Sequence, residues 1–120
     1  MLRAPFAHAA FIAMLCLSLG WAVDAPAQTA AKEPLEFAVV IKDGQILPAR
    51  LDVPAGRKIK LTLKNEGRTP IEFENLSLRI EKVLAPGASS FVIIHSLPPG
   101  SHRFVDEFHP KTAEMLLIAQ

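Results

Sequence analysis

The sequence is nearly devoid of cysteine. Its 120 residues include one, Cys16, and no tyrosine. Cys16 lies within an uncharged apolar run, "AAFIAMLCLSLGWAV", at 9–23. A single cysteine forms no internal disulfide, and beyond that run the chain offers no thiolate as nucleophile or metal ligand. An excess of one charge is also lacking: 13 Lys+Arg face 12 Asp+Glu, a net charge of +1. That balance gives no argument for a nucleic acid or an anionic membrane surface as partner. There is no Gly-rich phosphate loop, no nucleophile elbow, no H-E-x-x-H pair and no suggestive Ser/His/Asp arrangement. The apolar run is shorter than the ~20 residues that span a bilayer. Arg3 precedes it, and Ala25 and Ala27 follow in an A-x-A arrangement. Residues 1–27 therefore read as a secretory signal cleaved before Gln28, with a membrane anchor as the alternative. The mature chain keeps its net charge of +1, because Arg3 and Asp24 leave together, and has no cysteine. It retains His95, His102, His109 and Met115.

What is present is a period of two. After a small, polar, flexible leader at 28–34, "LEFAVVIK" places Leu35, Phe37, Val39 and Ile41 on one face and Glu36 and Lys42 on the other. "ARLDVPAG" at 49–56 and "KIKLTLKN" at 58–65 alternate in the same way. This is the pattern of half-buried strands. "IEFEN" at 71–75, "SSFVIIHSL" at 89–97, "SHRFVDEF" from 101 and "EMLLIAQ" at 114–120 continue it, while "LSLRIEKV" at 76–83 reads as either a helical turn or a strand. Asp43-Gly44, "PAG", "APG" and "PPG" supply turns. Seven or eight short strands with turns between them, and no helix of ten residues, predict one all-β domain over 35–120. The expected form is an antiparallel β-sandwich, or a small barrel, with Greek-key connections. A domain of this size buries somewhat over 60% of its unfolded surface, enough for one core.

Two segments carry possible chemistry. "EFE" at 72–74 and "EFH" at 107–109 share one form: polar donor, Phe, polar donor. On a strand, residues two apart share a face. Glu72 and Glu74 then point together, as do Glu107 and His109, and adjacency of the segments would converge three carboxylates and an imidazole. Such donors suit Fe, Mn, Zn or Cu(II) rather than Cu(I). The plain alternative is a solvated strand face. His95 and His102 read as structural, Met115 as a core residue, and Lys58, Lys60 and Lys64 as a soluble outer face.

These residues resemble the cupredoxins, small blue-copper proteins, over residues 35–120. Where that family has a first copper histidine after "N-x-x-x-x-P", this chain has Asn65 to Pro70 followed by Ile71. "HRFVDEFH" parallels the family's "Y-x-F-x-C-x-x-H", with Asp106 at the cysteine position and His109 at the histidine position. Glu114 stands at the usual methionine spacing, with Met115 one later. The blue centre needs a Cys thiolate, so no intense blue colour is expected. "EFE", Leu78 with Glu81-Lys82, and "EFH" with Thr112-Ala113 resemble a cysteine-poor periplasmic branch related to the EfeO-type iron-uptake component. That branch accompanies Ftr-type ferrous-iron permeases and a P19-like copper- and iron-binding partner. The resemblance implies a periplasmic accessory of iron uptake. It would hold a copper or iron ion with Glu72 or Glu74, Glu107 and His109, and Glu81 could add a ligand or pair with a lysine. Asp106 shares a strand face with Phe104 and Phe108, which implies burial, and a buried carboxylate must be paired or neutral. Two alternatives stand beside this reading. One is a copper carrier, in which Met115 turns toward His109. The other is a metal-free module docking on a permease or oxidase through an edge strand or apolar patch.

Overall fold

The computed structural model describes residues 32–120. The expected signal segment and residues 28–31 of the leader lie outside them. Within the described residues no helix is long and apolar enough to cross a membrane. Nine strands form: β1 (Leu35–Lys42), β2 (Gln45–Leu47), β3 (Arg50–Val53), β4 (Ile59–Asn65), β5 (Ile71–Asn75), β6 (Ile80–Leu84), β7 (Ser89–Ile94), β8 (Gly100–Asp106) and β9 (Glu114–Ala119). One 3₁₀ turn, Leu76–Leu78, joins β5 to β6. The ambiguous stretch at 76–83 is thus both things in succession. Asn75 starts the turn by accepting a bond from the Leu78 amide at 2.9 Å, and Arg79, in the left-handed region at φ 56°, ends it.

The strands make two sheets, β2-β1-β4-β7 and β3-β9-β8-β5-β6. The all-β sandwich expected from the alternation is what forms, with nine strands instead of seven or eight. Both sheets are mixed, because β1 pairs with β4 and β3 with β9 in parallel. Parallel pairing leaves no local trace in sequence: the partners are joined by crossovers, and period two is the same in both senses. The β1–β2 hairpin turns at Asp43-Gly44, φ 45° and 79°. Two positive φ values match the twist of the flanking strands, which is why an Asp-Gly pair sits there.

The core lies between the sheets. Ile41, Ile59, Leu61 and Leu63 of the first sheet face Ile71, Phe73, Phe104, Met115 and Leu117 of the second, all buried. The Phe73 and Phe104 rings stack with centroids 4.8 Å apart and planes at 15°. Truncating either to alanine costs about 3–5 kcal/mol. One polar corner is built in: Asn65, fully buried, donates from Nδ2 to the Thr69 and Leu84 carbonyls and accepts the Gly67 amide at 3.0 Å. That satisfies a side chain that burial would otherwise penalise, and it pins the β4–β5 loop immediately before β5.

Candidate metal centre

β5 positions the first donors. Ile71, Phe73 and Asn75 are buried, so parity turns Glu72 and Glu74 to the outer face of the five-stranded sheet. β6 runs antiparallel beside it, with Glu81 directly opposite Glu74. Glu72, Glu74 and Glu81 bring one carboxylate oxygen each within 4.8 Å of the others. Glu107 adjoins them, since its amide donates to the Glu72 carbonyl at 2.9 Å. Partial burial, then the charges of Glu107, Glu72 and Glu81, hold the Glu74 carboxyl above its ordinary value of 4.5. Like charges held close together resist ionisation.

The "EFH" segment behaves differently from a strand. β8 ends at Asp106, and 107–112 turn through bonds from the His109 amide to the Asp106 carbonyl and from the Thr112 and Ala113 amides to the His109 carbonyl. Glu107 and His109 therefore do not share a strand face. His109 folds back so that Nδ1 meets Asp106 Oδ2 at 2.7 Å. The bond is satisfied with Nδ1–H as the donor and the carboxylate oxygen as the acceptor. Asp106 is fully buried, and its Oδ1 accepts the Glu72 and Phe108 amides, each at 3.0 Å. The carboxylate thus has three donors and needs no other partner.

The structure therefore divides the expected constellation. Glu72, Glu74 and Glu81 converge, with Glu107 alongside. His109 belongs to Asp106, and among the described residues it joins no cluster of three possible ligands. Met115 is fully buried in the core, in register with Phe104. His95 is exposed, and His102 Nε2 meets the Pro98 carbonyl at 2.7 Å, a turn contact. The Asp106–His109 pair had a visible signal, a carboxylate three residues before a histidine at the end of an apolar strand. What the sequence hides is the strand's end, because "EFH" has the polar–apolar–polar form of a strand although β8 stops at Asp106.

Comparison with known proteins places this architecture. A profile of the cupredoxin-like domain matches residues 9–119. The chain belongs to the cupredoxin-like domain family. An uncharacterized protein of Rickettsia prowazekii (strain Madrid E) is 36% identical over 84 residues, 70% of this chain and 67% of that protein. Reduced auracyanin of Roseiflexus castenholzii superposes with a TM-score of 0.59 at 14% identity, over 74% of this chain and 99% of that one. The metal-binding domain of the Cu(I)-exporting P-type ATPase CopA of Streptococcus pneumoniae D39, solved with Cu(I), gives 0.63 at 10% identity, over 71% and 84%. These likenesses establish the cupredoxin-like fold. A blue-copper centre does not fit the donors of this chain. The described residues contain no cysteine to supply its thiolate, Ile71 is buried in the core, and Asp106 already accepts from three donors.

Proposed function

We propose that this cupredoxin-like chain is a periplasmic metal-binding accessory of ferrous-iron uptake that holds an ion, Cu(II) or iron, on the outer face of β5 and β6. The observation that carries the reading is the convergence of the Glu72, Glu74 and Glu81 oxygens within 4.8 Å. Carboxylate oxygens accept such cations, and a cation there would offset the repulsion that Glu107, Glu72 and Glu81 exert on Glu74. Glu107 is near enough to raise the Glu74 pKa but stands outside the three converging carboxylates. His109, tied to Asp106, stays outside this first set. The "EFE" and "EFH-x-x-TA" motifs support the iron-uptake setting, in which a ferrous-iron permease and a P19-like periplasmic protein are the partners. The ion is cargo or regulator, and no organic substrate enters the reading.

Calorimetric titration of the purified chain with Cu(II), anaerobic Fe(II) and Zn(II) tests it. One-to-one binding that Glu74→Gln and Glu81→Gln each weaken, and that His109→Ala leaves intact, is expected. Absence of binding by the wild-type chain to all three ions sinks the proposal. The Asp106–His109 pair favours a second reading, a metal-free interaction module, because the loop at the family's metal position is closed by the chain's own bonds. The copper-carrier reading loses support, since its methionine lies in the core.

A further inference from the structure

Two sheets have four outer strands: β2 and β7 in the first, β3 and β6 in the second. An outer strand offers unpaired N–H and C=O groups to any extended chain, and proteins blunt it with shortness, proline or charge. Three of the four are blunted. β2 has 3 residues and runs into Pro48. β3 has 4, with Arg50 and Asp52 ion-paired along it. β6 carries Glu81 and Lys82. β7 is different: its 6 residues, "SSFVII", contain no charge and no proline. It pairs with β4 on one side, and among the described residues no turn or loop backbone bond reaches Ser89–Ile94.

Positive charge leans over that edge. Lys60 and Lys64 stand on β4, one strand inward, on the outer face. The Lys60 ammonium lies 5.1 Å from the centroid of the Phe91 ring on β7, with Glu36 as a distant ion partner at 3.7 Å. Lys64 Nζ donates to the Gly87 carbonyl, just before β7, at 2.7 Å. Phe91 itself is 52% exposed. It helps line a shallow trough of about 470 Å³ with Ala38, Val40, Thr62 and the two lysines.

We propose that the free edge of β7 takes an extended, acidic segment of a partner protein as an additional antiparallel or parallel strand. Backbone bonds to β7 supply the attachment, and alternate side chains of the guest fall on the trough face. A guest strand lies ~4.8 Å beyond β7, and the ammonium groups already drawn toward β7 meet carboxylates at those alternate positions. Nothing in this proposal uses the acidic face of the other sheet, so it stands or falls apart from metal binding.

Hydrogen exchange on the full chain, with and without a short synthetic peptide alternating glutamate and valine, tests it. The amides of Ser89–Ile94 are expected to gain protection. A peptide N-methylated at alternate residues is expected to give none, because it lacks the edge donors. Lys60→Gln combined with Lys64→Gln, both on the surface, is expected to weaken binding by roughly 2- to 10-fold. Three results overturn the proposal: no protection at β7 in peptide excess, an equal response to a lysine–valine peptide, or a dimer in sedimentation that uses β7 and excludes the peptide.

Discussion

Asp106 and Glu107 are neighbours in the chain and opposites in circumstance. Asp106 ends β8 facing inward and is saturated by three donors. Glu107, one residue on, joins Glu72, Glu74 and Glu81 on the outside, where acids face acids. The first region is complete as it stands. The second is a cluster of like charges that raise the proton affinity of Glu74. Acidity alone therefore says little about a metal site in this fold; what matters is whether the carboxylate oxygens already have donors.

The sharpest way to break that contrast is Asp106→Ala. It leaves two interior amides and the His109 Nδ1–H without their acceptor, and we expect a loss of about 3–5 kcal/mol in urea unfolding. Asp106→Asn keeps an oxygen for the two amides and gives up the charge-assisted bond, for about 1–3 kcal/mol. If both substitutions leave the unfolding midpoint unchanged, the Asp106 bonds to Glu72, Phe108 and His109 do not hold the turn. Next in size is His109→Ala, which frees one carboxylate oxygen beside a ring whose side chain is 35% exposed. Water can replace part of what is lost there, and about 1–2 kcal/mol is expected.

The outer cluster should respond in the opposite direction. With a folded-state pKa raised above its ordinary value, Glu74 binds its proton more tightly in the folded chain than in the unfolded one. Its contribution to stability is therefore greatest in acid and falls as pH rises past 4.5 and through the elevated folded value. Glu74→Gln should raise the melting temperature at neutral pH and flatten its pH dependence between acid and neutral, read by thermal scans in metal-free buffer. A divalent ion should raise the wild-type melting temperature and leave that of Glu74→Gln nearly unmoved. The smallest effect is expected at Arg50. Its pair with Asp52 raises the arginine pKa and lowers that of the aspartate, yet both are exposed. Arg50→Ala should leave the melting temperature within error.

Much of this was legible in the sequence, for identifiable reasons. Alternation in "LEFAVVIK" and "KIKLTLKN" places Ile41, Ile59, Leu61 and Leu63 inside, and they are inside. "EFE" puts Glu72 and Glu74 on one face because β5 is regular, with buried residues on either side of each. "EFH" misleads because its alternation outlasts its strand: the 107–112 turn is set by backbone bonds and Pro110, which a period cannot register. Burial of Asp106 follows from its parity with Phe104, but its donors come from Glu72, 34 residues away, and from the turn itself. The parallel pairs are silent in the sequence because register across a crossover is decided by packing alone.

The placement of β9 bears on how the molecule comes to exist. β9 lies between β3 and β8, and it is the sheet partner of β3. Its first rung to β3 joins Arg50 and Leu116, 66 positions apart. As the chain is delivered from its N-terminal side, β3 has no ladder to join until nearly everything else has appeared. Closure over such a distance is entropically slow. The nascent domain is thus an assembly with a missing keystone, holding one unsupported strand, and a chain stopped before Glu114 should never acquire the cooperative unfolding of the whole.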